Sequence, residues 1–155
     1  MNNYRNLETV ALIVSAGRGR RISGKIPKQY LPLGGETILS KTARVFINHK
    51  KIDGVRIVIH PDDQDLYDAA MSGLNLLSAV HGGAERQDSV RKGLESLEEF
   101  SPMNVLIHDS VRPFVSHTLI DRILNLLQDG KGCVPGLPIM DAIKMVDDGQ
   151  IVKSL

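Results

Sequence analysis

Short apolar runs alternate along the chain with longer segments whose apolar residues recur every three or four positions. The short runs predict buried strands, and the longer segments predict helices with one face against a sheet. The predicted strands span 9–15, 55–60, 76–81 and 103–107. The predicted helices span 37–49, 61–71, 85–100 and 116–128. This alternation indicates an α/β fold with a mostly parallel twisted sheet and helices on both faces.

Local signals refine two of these helices. Thr37 is a candidate N-cap for the first, because a hydroxyl before a helix can accept from its free amide groups. In the third helix Val90, Leu94 and Leu97 share the face that we expect against the sheet.

Polar residues follow the apolar runs at four places, 16–21, 81–89, 108–113 and 138–141. In an open parallel sheet, ligands collect at the carboxyl ends of the strands. We therefore expect these four segments to converge on one site.

The first of these segments is typical of a loop that holds a polyphosphate. Gly17 and Gly19 let the backbone approach an anion, and Lys28 follows as a point charge. Three arginines add forked donors, namely Arg18, Arg20 and Arg21. A solvated turn is the competing interpretation. The sequence matches neither a P-loop nor a complete dinucleotide fingerprint, since position 22 is Ile and not Gly, which argues against a kinase or an ordinary NAD enzyme.

Overall charge and hydropathy exclude several partners. The chain of 155 residues has a formal net charge of +1, so it lacks the basic surplus of a nucleic-acid-binding protein. No apolar run reaches the length of about 18 residues that a membrane span needs, and the polar start lacks a signal peptide's apolar stretch. We therefore expect a cytoplasmic protein without membrane contacts.

Residues in the third and fourth segments indicate nucleotide and metal contacts. Gly82 and Gly83 would allow close backbone approach, and Ser89 would offer donors at a helix start. Asp109 at a strand end suits Mg²⁺, which prefers one or two carboxylates together with substrate phosphates. A glycine turn, a helix-start serine and a capping aspartate with a salt bridge to Arg112 remain the alternatives.

Taken together, four ordered motifs resemble those of the 2-C-methyl-D-erythritol 4-phosphate cytidylyltransferases. They are Ala16-Gly-Arg-Gly-Arg-Arg21 with Pro27-Lys-Gln-Tyr30, Gly82-Gly-Ala-Glu-Arg-Gln-Asp-Ser89, His108-Asp-Ser-Val-Arg-Pro113 and Pro138-Ile-Met-Asp-Ala-Ile-Lys144. The resemblance implies a Rossmann-like nucleotidyltransferase domain over 1–155. It also implies transfer of CMP from CTP to methylerythritol phosphate, with release of pyrophosphate, in non-mevalonate isoprenoid synthesis.

The same resemblance implies residue roles. The cation at Asp109 would be Mg²⁺, while charges on the triphosphate would be stabilised during attack on the α-phosphorus. Catalytic roles fall to Arg20, Lys28 and Asp109; nucleotide contacts to Ser15, Ala16, Gly17, Arg18, Gly19, Gly82, Gly83 and Ser89; acceptor contacts to Asp109, Ser110, Arg112 and Asp141.

Three departures from the family pattern affect the acceptor side. Ala142 stands where a Thr is common, and Ser110-Val111 replaces small alanines, a variant shared with ribitol 5-phosphate cytidylyltransferases. Later acceptor-binding motifs do not follow before Leu155. We therefore expect a truncated domain with little turnover of its own. The alternatives are transfer to ribitol 5-phosphate or another sugar phosphate, and a nucleotide-binding module without activity.

The C-terminal segment predicts a two-stranded hairpin, with 142–146 and 150–154 joined around Asp147-Asp148-Gly149. In the family this region, 138–155 here, belongs to an arm that embraces a second subunit, which implies a homodimer. Some members are also fused to the cyclodiphosphate synthase of the same pathway.

Overall fold

The computed structural model describes residues 7–18, 26–127, 131–142, 144–148 and 150–154, and it divides into two compact units, one through Asp121 and one from Arg122. The helices are α1 (Ile38–Ile47), α2 (Gln64–Met71), α3 (Arg86–Glu95) and α4 (His117–Leu126). The strands are β1 (Thr9–Ser15), β2 (Pro32–Leu33), β3 (Glu36–Thr37), β4 (Gly54–Ile59), β5 (Val80–His81), β6 (Asn104–Asp109), β7 (Lys144–Asp147) and β8 (Gln150–Ser154). Short 3-10 turns lie at Lys28–Tyr30, Pro61–Asp63 and Glu98–Phe100.

The first unit is built on a four-stranded parallel sheet in the order β5-β4-β1-β6. Interior strands are covered on both faces, and this is why β1 and β4 read as continuous apolar runs instead of alternating ones. Only Val14 of β1 and Gly54 of β4 are less than fully buried. The edge strand β6 is half-exposed along most of its length. The predicted α/β fold with a parallel sheet is confirmed.

Helices pack on both faces of this sheet, as predicted. On one face α3 lies so close that a Cβ on Gly93 would meet Leu12 and Val58 side-chain carbons at 2.8 Å. On the other face the Phe46 ring of α1 lies 4.8 Å from the ring of His108 in β6. Successive residues of a strand point to opposite faces of the sheet. Leu12 and Val58 therefore contact α3 on one face, while His108 contacts α1 on the other.

The predicted face of the third helix is confirmed at Leu97, which is 1% exposed just after the end of α3, and wrong at Leu94, which is 38% exposed. Within α3 the buried positions are Ser89 and Gly93. The missing side chain at Gly93 lets the helix backbone approach the sheet, and this close contact determines which face turns inward. The spacing of apolar residues predicts instead that the side of α3 with Leu94 is buried, because glycine has no apolar side chain that would mark the Gly93 side as buried.

Several element boundaries also differ from the predictions. The strand expected over 76–81 is reduced to Val80–His81, although the amide of Leu77 still donates to the Val55 carbonyl at 2.9 Å. The third helix ends at Glu95, and the chain then turns at Ser101, which takes a left-handed φ of 46°. The Thr37 cap is confirmed, since its hydroxyl accepts from the Ser40 amide at 3.1 Å.

In the second unit β7 and β8 form the predicted antiparallel hairpin. The apolar stretch before it is not a strand in the described residues 131–142, and Leu137 and Met140 are 90% and 92% exposed. Pro135 and Pro138 each lack the N–H that a strand ladder requires. Within the described residues, no helix has the length and apolar character needed to cross a membrane.

Candidate nucleotide site

A cavity of about 570 Å³ lies at the carboxyl ends of the sheet strands in the first unit. The end of β1, the turn before α3 and the end of β6 all contribute to its wall, so three of the four predicted segments converge. The predicted site residues that line it are Ala16, Gly17, Lys28, Gly83, Ser89, Asp109 and Ser110.

A buried glutamine supports the first loop from the protein side. Gln29 is 3% exposed, and its Nε2 donates to the carbonyl oxygen of Ser15 at 2.9 Å. A second carbonyl, that of Gly17, lies 3.4 Å from the same nitrogen. These contacts from a buried side chain stabilise the backbone of the first loop where it forms part of the cavity wall. The sequence analysis quoted Gln29 within its motif but assigned it no role.

Arg18 is engaged outside the cavity lining. Its guanidinium donates at 2.8 Å to both Asp62 and Asp63, and its Nη2 lies 2.7 Å from Nδ1 of His60. Asp63 is 1% exposed, so its charge requires a partner, and Arg18 supplies it. The side chain thus braces the first loop against the segment that follows β4, while its predicted nucleotide contact stays a prediction. Gly19 and Arg20 lie outside the described residues.

The turn between β5 and α3 brings Gly82 against the first loop. A Cβ at Gly82 would lie 2.4 Å from the Cβ of Ala16 and 2.6 Å from the hydroxyl of Ser89, so no larger residue fits without displacement. The Gly83 amide donates to the Ser89 hydroxyl at 3.1 Å, and that hydroxyl donates to the Glu85 carbonyl. Ser89 therefore holds the turn that faces the cavity, in addition to its predicted ligand contact.

Asp109 is the most strongly engaged acid at the site. Arg86 Nη2 donates to its Oδ1 at 2.9 Å, and Arg112 Nε donates to its Oδ2 at 2.8 Å. Burial raises the pKa of this carboxyl, but the hydrogen bonds and charges of the two arginines together outweigh burial and lower the pKa below its ordinary value. Asp109 is therefore an anion at neutral pH. Arg86 lines the cavity and was missed by the sequence analysis, although it stands within a quoted motif.

Two polar side chains, the buried Thr42 and the half-buried His108, anchor the Asp109 loop. The hydroxyl of Thr42 lies 2.8 Å from the Ser110 carbonyl, and Nε2 of His108 lies 2.9 Å from the Arg112 carbonyl. Burial lowers the pKa of His108, more than its contacts with Arg112 and Asp109 offset, so the neutral ring is favoured. These anchors orient Asp109 toward the cavity. Asp141, the remaining predicted acceptor residue, is an exposed residue of the second unit.

The side chains around Asp109 could hold a metal ion only if a bound ligand supplied further oxygen atoms. No group of three or more His, Cys, Asp or Glu side chains suitable for a metal occurs among the residues that the structure describes. A lone carboxylate is nevertheless what Mg²⁺ requires when substrate phosphates and water complete its six oxygen ligands.

Comparison with known proteins assigns the chain to a family. Residues 9–155 match the family model described as IspD: 2-C-methyl-D-erythritol 4-phosphate cytidylyltransferase. The chain is similar to the bifunctional enzyme IspD/IspF of Rhodospirillum rubrum, with 52% identity over 145 residues that cover 93% of this chain and 38% of that protein. It is also similar to the bifunctional IspD/IspF of Paramagnetospirillum magneticum, with 49% identity over 148 residues that cover 96% of this chain and 38% of the relative.

A solved structure agrees. The crystal structure of 4-diphosphocytidyl-2C-methyl-D-erythritol synthase from Anaerococcus prevotii superposes with a TM-score of 0.77 and 26% identity, covering 99% of this chain and 65% of that one. The chain thus spans less than two fifths of the length of the bifunctional relatives, and its matched region is almost the whole of what it contains. By the extent of that match, the chain belongs to the 2-C-methyl-D-erythritol 4-phosphate cytidylyltransferase family.

Proposed function

We propose that this chain provides the CTP site of a cytidylyltransferase that transfers CMP from CTP to 2-C-methyl-D-erythritol 4-phosphate. The observation that carries the proposal is the convergence of Ala16, Gly17, Lys28, Gly83 and Asp109 on one cavity of about 570 Å³. Backbone groups of two turns, one lysine and one carboxylate are the donors and acceptors that a magnesium nucleotide needs.

In this proposal the nucleotide is held along the wall formed by the first loop and the turn before α3. The preorganised backbone near Ser15, Gly82 and Ser89 would read the edge of cytosine, since a base that leaves such donors unpaired binds less well. Lys28, which also lines the cavity, would contact the triphosphate. Arg20 is proposed to assist it on the strength of the family resemblance.

The reaction requires positioning and charge stabilisation. An oxygen of the acceptor phosphate attacks the α-phosphorus, the bond from that phosphorus to the bridging oxygen breaks, and pyrophosphate leaves. The attacking oxygen is already an anion, so no general base is needed. Lys28 would stabilise the charge that accumulates on the phosphoryl oxygens. Mg²⁺, held through Asp109 and the phosphates, would supply further charge neutralisation when bound.

The wider arrangement is proposed from the relatives. Because the similar proteins of two bacteria are bifunctional IspD/IspF enzymes, we include a fused cyclodiphosphate synthase domain among the partners. The hairpin of β7 and β8 is proposed as part of a dimerisation arm, and the cytoplasm as the place of action.

Nucleotide binding tests the site first. Calorimetric titration of the chain with CTP and Mg²⁺ should show tighter binding than titration with ATP or GTP. The Lys28→Ala variant should weaken CTP binding, whereas Lys50→Ala, an exposed lysine after α1, should not change it. Equal affinity for all nucleotides, or an unchanged affinity in Lys28→Ala, would overturn the site.

Turnover tests the reaction. The complete product of the gene should release pyrophosphate from CTP only when methylerythritol phosphate is present, and Lys28→Ala should lower kcat by about a hundredfold. Selective CTP binding without turnover would leave the nucleotide-binding module as the correct interpretation. Faster turnover of ribitol 5-phosphate would instead identify a different acceptor.

A further inference from the structure

Both carboxylate oxygens of Asp109 are occupied by arginine side chains. Arg86 binds one oxygen at 2.9 Å and Arg112 binds the other at 2.8 Å. Each carboxylate oxygen can accept more than one contact, so a cation at Asp109 would compete with the charges of these two guanidinium groups for the carboxylate. The two arginines thereby lower the affinity of Asp109 for a cation that arrives alone.

The two arginines differ in how they are held. Arg112 belongs to the Asp109 loop, where its amide donates to the Asp109 carbonyl at 3.2 Å and its own carbonyl lies 2.9 Å from Nε2 of His108. Arg86 comes from the first turn of α3, and its side chain is 63% exposed. Among the described residues, Asp109 is the partner recorded for its guanidinium. The Arg112 side chain is also exposed, at 72%, so exposure does not distinguish the two arginines. Arg86 is the one that lines the cavity, and it is therefore the arginine that a ligand in the cavity can contact and draw away from Asp109.

We propose that Arg86 makes divalent-cation binding at Asp109 depend on the nucleotide. In the free protein Arg86 takes the place of the cation on Asp109 Oδ1, and it yields that oxygen when the metal arrives together with a triphosphate. Arg86 acts through Asp109 and is a positioning residue. This inference rests on the proposed function, because the triphosphate is the ligand assumed to enter the cavity.

The charges around the cavity support this dependence. Lys28 and Arg86 line it, and Arg112 lies at its Asp109 side. Glu85 also lines the cavity, but its carboxylate accepts from the backbone of α3 in a capping box. A divalent cation that enters without a nucleotide therefore encounters more positively charged side chains than carboxylates that are free to bind it. A triphosphate reverses this balance, supplies oxygen ligands and offers Arg86 an alternative anion.

Manganese titration without nucleotide tests the exchange directly, because Mn²⁺ substitutes for Mg²⁺ and the free ion is counted by electron paramagnetic resonance. We expect Arg86→Ala to bind Mn²⁺ about fivefold more tightly than the wild type, the factor that corresponds to removing one competing ion pair of this exposure. Arg91→Ala is the matched control. Arg91 lies on the same helix and is also 63% exposed, but it pairs with Asp88 and Glu95.

A double-variant comparison separates the exchange from a general change in charge. In an Asp109→Asn background Mn²⁺ binding should be weak, and adding Arg86→Ala should not improve it. Arg86→Gln, which keeps a polar side chain without the charge, should reproduce the gain and guards against a folding defect in Arg86→Ala. An affinity in both Arg86 variants that equals the wild type, or a gain that Arg91→Ala shares or that survives in Asp109→Asn, overturns the exchange.

Mn²⁺ titration in the presence of CTP is the final test. With CTP present, wild type and Arg86→Ala should bind Mn²⁺ with affinities within about twofold of each other, because Arg86 no longer competes. A fivefold difference that persists with bound CTP overturns the dependence on nucleotide. A wild-type protein that binds no CTP overturns the proposed function, and the titrations without nucleotide then still decide whether Arg86 blocks the metal.

Discussion

Replacing Gly82 with alanine should destabilise the first unit and weaken nucleotide binding at once. The added Cβ would lie 2.4 Å from the Cβ of Ala16 and 2.6 Å from the Ser89 hydroxyl. Carbon atoms in contact are normally about 3.5–4.0 Å apart, so the overlap exceeds about 1 Å. The Ala16 methyl group is attached directly to the backbone and cannot rotate out of the way. Relief therefore requires a backbone shift of the first loop or of the turn before α3.

The size of the effect follows from two opposing contributions. Overpacking a tight contact of this kind costs up to about 3 kcal/mol. Alanine also restricts the unfolded chain and returns about 0.4–1 kcal/mol. We expect a net loss of about 2 kcal/mol in the free energy of unfolding, equivalent to a fall of about 4–8 °C in Tm for a chain of this size.

Urea unfolding followed by circular dichroism measures this loss, and CTP calorimetry measures its effect on the site. Gly17→Ala is the control for stability, since a Cβ there would meet nothing within 4 Å. That control should change the free energy of unfolding by less than about 0.5 kcal/mol. If Gly82→Ala were as stable as Gly17→Ala and bound CTP like the wild type, the argument from close approach at Gly82 would be refuted.

Three further outcomes are expected. Asp53→Ala should cost about 1 kcal/mol in thermal unfolding, because the Asp53 carboxylate accepts from the amides of Glu8 and Thr9 at 2.9 and 2.8 Å and both hydrogen bonds are lost; an unchanged Tm would contradict this. Because burial lowers the pKa of His108 from 6.5, the unfolded state binds the proton more readily, so stability should fall as pH drops below about 6.5. His108→Gln should flatten that dependence in unfolding curves recorded between about pH 5 and 7, and an equal slope in both proteins would show that other groups cause it. Thr42→Val should lower stability by about 1–3 kcal/mol, since a buried hydroxyl contact is lost, and wild-type stability in the variant would remove this role.

The apolar pattern was sufficient to predict the architecture of the first unit. Buried parallel strands require apolar side chains on both faces, so β1 and β4 are visible as continuous runs. Helix starts are equally visible, because capping depends on neighbouring residues, as at Thr37. The convergence of strand ends on one site follows from parallel topology and not from any single contact. These features are local or depend on periodicity, and a sequence displays both directly.

Other features depended on contacts between distant residues. The sequence could not reveal that Gly93 sets the buried face of α3, because that choice depends on the space above Leu12 and Val58. Strand β5 is short because its ladder with β4 is limited to Val80 and His81, while Leu77 makes a separate hydrogen bond to Val55. The sequence likewise could not reveal that Arg18 pairs with the buried Asp63, because the two residues lie 45 positions apart.

The site itself shows the same division. Lys28 and Asp109 could be selected from their positions in the pattern, and both line the cavity. The support of the first loop by Gln29 and the ion pair between Arg86 and Asp109 join residues 14 and 23 positions apart. Residue types and spacing therefore determined which groups are available for nucleotide chemistry. Tertiary packing decided which of them are free and which are already engaged, because hydrogen bonds and ion pairs form only where folding brings partners within about 3 Å.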